Sequence, residues 1–272
     1  MKKLILPVLA VMAMGTASAQ FNLGISAGYG IGTPGQVLGT ENVINGSSIV
    51  TSSKNIYGTL GNGVHVNLTP GYMLGDHFGL ELGLNGFFGS KTTVSEIEGP
   101  LGKSTYTQSS SQFRITPALF IQSGGEKISV YARAGLLLPL LGSVKTDVSS
   151  NLNPSAEVDR ESKTQGKVSL GYTGAVGLNV HFGKKFGIFA EVGANSLQVK
   201  SKTTKVTKYT VGGVDQLVTE YNKKVNYVDE INSSSNTGAN ADPNKPQEQL
   251  RQIANFSSFF LQVGIKITFG ED

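Results

Sequence analysis

The sequence predicts an all-β fold, an eight-stranded antiparallel up-and-down barrel whose apolar face points outward into a membrane. Three observations carry this. Apolar and small polar residues alternate with a period of two through eight segments, which is the spacing of a strand, because successive side chains leave a strand on opposite faces. The polar face of those segments is mostly Gly, Ala, Ser, Thr and Asn rather than the Lys and Glu that cover a soluble sheet, so it suits the inside of a narrow tube. The connections alternate strictly between short and long, as they do when turns lie on one side of a membrane and loops on the other.

The alternation is cleanest from Lys167 to Ser196. Val168, Leu170, Tyr172, Val176, Leu178, Val180 and Phe182 fall on even positions, with Ser169, Gly171, Thr173, Ala175, Gly177, Asn179 and His181 between them. After Gly183-Lys184-Lys185, one face takes Phe186, Ile188, Ala190, Val192 and Ala194, and the other takes Gly187, Phe189, Glu191, Gly193 and Asn195. This is a hairpin with one apolar side. Segments of about ten residues, apolar outward and polar inward, are how a barrel crosses a bilayer.

From the start of the chain, Lys2 and Lys3, the apolar run Leu4 to Met14 and the ending Ala17-Ser18-Ala19 predict a secretory signal peptide over residues 1–19, cleaved before Gln20. Its apolar run is too short for a membrane anchor, which needs about twenty residues. Residues 20–272 then form one barrel domain.

Strand one, Phe21 to Thr33, sends Phe21, Leu23, Ile25, Ala27, Tyr29 and Ile31 outward. Strand two, about Gly61 to Leu74, sends out Val64, Val66, Leu68, Pro70, Tyr72 and Leu74. Strand three sends out Phe78, Leu80, Leu82, Leu84 and Phe88, and strand four, Gln112 to Gln122, sends out Phe113, Ile115, Leu119 and Ile121. Strand five offers Ile128, Val130, Ala132, Ala134, Leu136 and Leu138. Strands six and seven are the hairpin above, and strand eight, Phe256 to Phe269, sends out Phe259, Leu261, Val263, Ile265, Ile267 and Phe269. Pro70, Pro117 and Pro139 interrupt the pattern. Proline cannot donate to a ladder, so bulges or delayed pairing are expected there.

Three turns are tight (75–77, 123–127, 183–185) and four loops are long (about 34–60, 89–111, 139–166, 197–255). By the outer-membrane rule the turns and both termini are periplasmic and the loops extracellular. The loops read as hairpins continuing past the bilayer, with turn signals at Gly99-Pro100-Leu101-Gly102, Asn153-Pro154 and Gly212-Gly213. Val199 to Val211 is β-rich, Asn232 to Asn244 is polar enough to be mobile, and Pro246 to Ala254 is expected to form a short helix opened by its proline. Aromatic residues fall into two belts, as rings favour the two interfaces. Phe21, Tyr72, Phe78, Phe182, Phe186 and Phe269 lie toward the turns, and Tyr29, Phe88, Phe113, Tyr172 and Phe259 toward the loops.

Composition is consistent with this reading. Of 272 residues 39% are hydrophobic, 35 are Gly and none is Cys, which removes disulfide and thiol chemistry. Without Lys2 and Lys3, 21 basic residues (23 less 2) stand against 19 acidic ones, a balance that argues against nucleic acid as a partner.

In its strand pattern, its rhythm of short turns and its ending Val-Gly-Ile-Lys-Ile-Thr-Phe at 263 to 269, the chain from Phe21 to Phe269 resembles the small eight-stranded outer-membrane β-barrel family. The resemblance implies residence in the bacterial outer membrane. It also implies recognition by the barrel-assembly machinery, through a final strand with an aromatic residue near its end. Gly270-Glu271-Asp272 after Phe269 depart from a strictly C-terminal Phe. Members of the family include membrane anchors, adhesins, narrow channels and a few enzymes, so the resemblance implies architecture more than role.

Catalytic signals are thin, and no enzyme activity, cofactor or metal is expected. Gly28-x-Gly30-x-Gly32 mimics a nucleotide fingerprint, but no helix opens after it. His65, His77 and His181 fall too far apart to share a constellation. Five charges do fall on the inward face: Glu81, Arg114, Arg133, Glu191 and Lys266. Burial of such groups is costly unless they pair, so they are expected to form a lumenal network that fills the interior with Phe120, Tyr131 and Phe189. An eight-stranded barrel is just wide enough for side chains.

Beyond the membrane, Lys200, Lys202, Lys205 and Lys208 form a basic stretch. It suits either a solvated hairpin or contact with lipopolysaccharide or another anionic surface ligand. The function expected is a structural or surface-interaction role through the loops, with outer-membrane lipid and an extracellular ligand as partners. The alternatives are a narrow gated channel and, below that, a secreted soluble ligand-binding barrel.

Overall fold

The structure is a computed structural model and describes residues 20–125, 127–153, 156–239 and 241–269. The expected signal peptide and the last three residues lie outside the described residues. In chain order the strands are β1 (Gln20–Gly32), β2 (Val37–Ile44), β3 (Val50–Tyr57), β4 (Gly63–Met73), β5 (Phe78–Gly89), β6 (Thr92–Gly99), β7 (Gly102–Gln122), β8 (Ile128–Ser150) and β9 (Val158–Gly166). There follow β10 (Gly171–Phe182), β11 (Phe186–Ser196), β12 (Gln198–Val211), β13 (Val214–Asp215), a one-turn helix α1 (Glu220–Lys223), β14 (Lys224–Val228), β15 (Gln247–Leu250), β16 (Ile253–Asn255) and β17 (Ser258–Phe269).

Eight of these close into a barrel in the order β1-β4-β5-β7-β8-β10-β11-β17, every neighbour antiparallel. The last stave pairs with the first from Phe21 opposite Phe269 to Gly32 opposite Ser258. Closure matters because a sheet in hydrocarbon has no water to satisfy an open edge. The apolar positions form the outside. Val176 is 55% exposed, and Ile25, Val66, Leu119 and Val263 point the same way. Asn22, Ser26, Asn67, Ser129 and Asn179 are buried within. A polar interior behind an exposed apolar band is a lipid-facing arrangement. Ring pairs Phe21 with Phe269 (5.7 Å) and Phe182 with Phe186 (6.1 Å) mark the turn end.

The prolines act as expected in part. At Pro139 the register slips by one residue, so that Phe113 faces Leu141 and Arg114 faces Pro139, a bulge with Leu140 as the extra residue. Pro70 and Pro117 leave the register intact and cost only a short gap in one of their two ladders.

Past the loop end the strands do not stop. β7 and β8 run on for 21 and 23 residues in all and seed a second sheet in the order β3-β2-β6-β7-β8-β9-β12-β14-β15. Gly99 pairs with Gly102 at one hairpin tip, and Gly212-Gly213 (φ +56° and +80°) turn β12 into β13. Among the described residues β3 and β15 pair on one side only.

Two sequence expectations are corrected here. The hairpin strand begins at Gly171 rather than Lys167, because β8 pairs with β10 only as far as Leu137 and with β9 only from Ser143. Between those ladders Leu141 and Val168 stand 71% exposed. Pro246 to Ala254 is not a helix: Gln247–Leu250 lies parallel to β14 and Ile253–Asn255 pairs with the base of β12, so inter-strand bonds outcompete a marginal local helix. The turn of helix is at Glu220–Lys223 instead, with the Thr219 hydroxyl accepting from the Asn222 amide at 3.2 Å. Within Asn232 to Asn244, Asn236 organises the described turns: its side-chain amide donates to the carbonyls of Asp242, Lys245 and Pro246, and its oxygen accepts from Asp242 N.

Candidate functional site

The lumen is filled in three layers. At the turn end Met73, Phe120 and Tyr131 form a buried cluster with Phe189 packed against it. The ring centroids of Phe120 and Tyr131 are 5.1 Å apart, and Phe189 meets Tyr131 edge-on at 6.3 Å. Lys266 sits over this layer with its Nζ 4.3 Å from the centre of the Phe120 ring, a cation–π contact.

The middle layer is polar, with Glu191 as its hub. Its carboxylate pairs with Arg133 and accepts from the Tyr131 hydroxyl at 2.7 Å and from Gln262 Nε2 at 2.6 Å. Arg133 also lies 3.9 Å from Glu81. From Gln262 the bonds continue sideways: Asn67 Nδ2 donates to Gln262 Oε1 (2.8 Å) and Asn85 Nδ2 donates to Asn67 Oδ1 (2.5 Å). Glycines make room for these long side chains. A Cβ on Gly30 would fall 2.7 Å from His65 Nε2 on the neighbouring strand, so glycine at this position lets the imidazole lie against β1.

Of the five inward charges, the structure therefore joins Glu81, Arg133 and Glu191, sets Lys266 on an aromatic face beside them, and separates Arg114. Arg114 is 1% exposed, donates from Nε to Gln112 Oε1 at 2.7 Å and stacks 4.1 Å over the Phe87 ring. The histidines stay apart. His181 Nε2 is 3.1 Å from Ser129 Oγ, His77 Nδ1 is 3.1 Å from the Gln122 carbonyl, and His65 packs on Phe87 at 4.9 Å.

The loop-end layer is apolar, which the period-two reading missed. Leu60, Phe87, Leu137, Leu197, Val199 and Phe256 are buried together, with Leu38, Val94, Val144 and Ala254 against them. The signal lay in doubled apolar residues, Phe87 beside Phe88 and Leu137 between Leu136 and Leu138, which place apolar groups on the inward parity where each strand leaves the membrane. Among the described residues, lumenal spaces of about 30 Å³ and 20 Å³ remain, room for a water or two each. Above the apolar layer, between it and the second sheet, a cavity of about 560 Å³ opens. Leu60, Val199 and Phe256 floor it, glutamines such as Gln36, Gln112 and Gln252 line it, and Pro139 to Gly142 with Lys167 and Val168 form the wall where the ladder is interrupted.

The basic stretch lies on β12, whose partner β9 brings Asp159 within 3.1 Å of the Lys208 ammonium. Lys200, Lys202 and Lys205 are exposed along the same strand. Nearby, Arg251 forks onto Asp229 (2.5 and 3.1 Å) and donates to the Ser201 carbonyl at 2.6 Å, tying the end of β15 to β12.

No curated protein matches this sequence. Among solved structures, the outer membrane protein OprG from Pseudomonas aeruginosa is similar at 14% identity, with 94% of this chain and 99% of that chain covered and a TM-score of 0.48. Ail, the attachment invasion locus protein of Yersinia pestis, in complex with the heparin analogue sucrose octasulfate, is similar at 10% identity, covering 92% and 97% with a TM-score of 0.35. The model of the outer membrane protein beta-barrel domain family matches residues 4–214, most of the chain. With the closed, outward-apolar barrel described above, the chain belongs to the outer membrane protein beta-barrel domain family and is an integral protein of the bacterial outer membrane.

Proposed function

We propose that this protein is a surface-interaction barrel: a filled membrane anchor that carries a β-sheet platform and a ligand vestibule into the extracellular space, without enzymatic activity. The observation that carries the reading is that side chains fill the lumen at both of its ends. An apolar layer closes the loop end and an aromatic layer the turn end, with water-sized gaps between them. The strands meanwhile continue well beyond the barrel. Side chains invested in closing the tube leave the platform as the part that meets other molecules.

The vestibule's apolar floor and amide-rich walls suit an uncharged amphiphile, whose chain rests on Leu60, Val199 and Phe256 while its polar end bonds to the glutamines. Lys200, Lys202 and Lys205 supply a separate basic edge for the phosphates of neighbouring lipopolysaccharide, worth about 1 kcal/mol per cation near such a surface.

Conductance in planar bilayers tests the first part, and the expected current is indistinguishable from the bare membrane. Stable ohmic steps from the purified protein would overturn this reading in favour of a channel. For the basic edge, the K200Q/K202Q/K205Q variant should bind lipopolysaccharide-containing vesicles several-fold more weakly at low salt, with the gap closing as salt rises. Equal binding would remove lipopolysaccharide from the reading.

A further inference from the structure

The buried arginine on the inner side of the loop-end layer has no acidic partner. Arg114 is the largest fully buried side chain. Its Nε bonds to a neutral glutamine and its plane rests on Phe87, while its Nη2 is buried with no hydrogen-bond partner. The two lumenal carboxylates are committed elsewhere, since Glu191 pairs with Arg133 and Glu81 approaches the same guanidinium. Among the described residues, three lumenal cations (Arg114, Arg133, Lys266) face two carboxylates (Glu81, Glu191), which leaves one positive charge over. A buried cation without a counter-charge costs several kcal/mol.

The space beside it fits a counter-ion. The cavity of about 30 Å³ is lined by both Arg114 and Arg133, by Asn67, Asn85, Thr116 and Asn195, and by His65, whose Nε2 is also buried without a partner. Phe260 and Leu137 close its apolar side. Its size admits one or two water-sized particles, which excludes sulfate, phosphate or a carboxylate ligand and admits water or a small monovalent ion. The loop-end apolar layer and the turn-end aromatic layer pack at the two ends of the lumen in which this space lies.

From this geometry we propose that the lumen binds one small inorganic anion of the halide class, chloride in practice, between Arg114 and His65, and that the anion is a structural part of the folded barrel. It supplies the negative charge that the sequence omits and an acceptor for the two orphaned nitrogens.

The test is urea unfolding of the whole protein in lipid vesicles, with chloride exchanged stepwise for gluconate at constant ionic strength. A single ion bound only by the folded state makes the folded-to-unfolded ratio rise in proportion to halide concentration once sites are filled, about tenfold per tenfold. The parent should show a logarithmic slope near one in chloride and in bromide, and R114M a slope near zero. A flat parent, or a variant with the parent's slope, overturns the proposal. If R114M does not fold, crystals of the parent grown in bromide decide: an anomalous peak against the Arg114 guanidinium supports the site, and none there refutes it.

Discussion

Removing the Glu191 carboxylate is the sharpest test of the middle layer. In Glu191→Ala the Arg133 guanidinium loses its direct partner and keeps only Glu81, at 3.9 Å, while the Tyr131 hydroxyl and Gln262 Nε2 lose the acceptor they meet at 2.7 and 2.6 Å. Breaking a buried pair by deleting one member costs ~3–5 kcal/mol, and each orphaned donor costs up to ~1–3 kcal/mol unless water from the adjoining space reaches it. These terms overlap, so the expected loss is about 4 kcal/mol, roughly a thousandfold in the folded-to-unfolded ratio. The measurement is the urea midpoint of the barrel in lipid vesicles, followed by tyrosine fluorescence and by the heat-dependent shift on gels, with the slope checked for constancy. Arg133→Met alone should cost a similar amount, because it strands Glu191. The double variant R133M/E191M should be far milder than the sum of the singles, since apolar replacement of both partners of a buried pair is often neutral. A loss below about 1 kcal/mol for E191A, or additivity in the double variant, would refute the claim that Glu191 is the hub of the lumen.

Two further perturbations probe the outside and the platform. Val176→Arg places a cation on the lipid face midway along β10, where the native side chain is 55% exposed. Refolding into vesicles should show a loss of ~2–4 kcal/mol, whereas Leu101→Arg at a hairpin tip should stay within ~0.5 kcal/mol, and equal effects would contradict the membrane assignment. At the platform, hydrogen bonds from Arg251 hold the Asp229 carboxyl below the usual carboxylate range. A depressed folded value means that this tie contributes above the ordinary aspartate pKa, near ~3.9, and is lost as pH falls through the folded value. Limited pepsin digestion should therefore cut the 212–252 segment of Asp229→Asn at pH 4 while the parent resists until lower pH, and identical cleavage profiles would show that the tie does not hold the segment.

The amount legible in the sequence follows from how local each signal is. A period of two needs only neighbouring residues, so the eight staves, the outward set from Phe21 to Phe269 and the tight turns can be read without coordinates. Proline's missing donor is equally local, and the bulge at Pro139 follows from it. Partners across the tube are a different matter. Glu81, Arg133 and Glu191 meet because stagger brings three separate strands to one height, and the same stagger carries Arg114 away from every acid and onto Phe87. Inward parity alone cannot distinguish those outcomes.

Sequence by itself determined the barrel, its polarity and its membrane, because side-chain alternation and small inward residues are properties of single strands. Tertiary structure alone decided that an apolar and an aromatic layer fill the two ends of the lumen, that β15 forms where the sequence suggests a helix, and that a 560 Å³ cavity stands above the apolar layer. The physical reason is that these features depend on which residues of distant strands share a level, and that is set by register around a closed sheet rather than by any one segment.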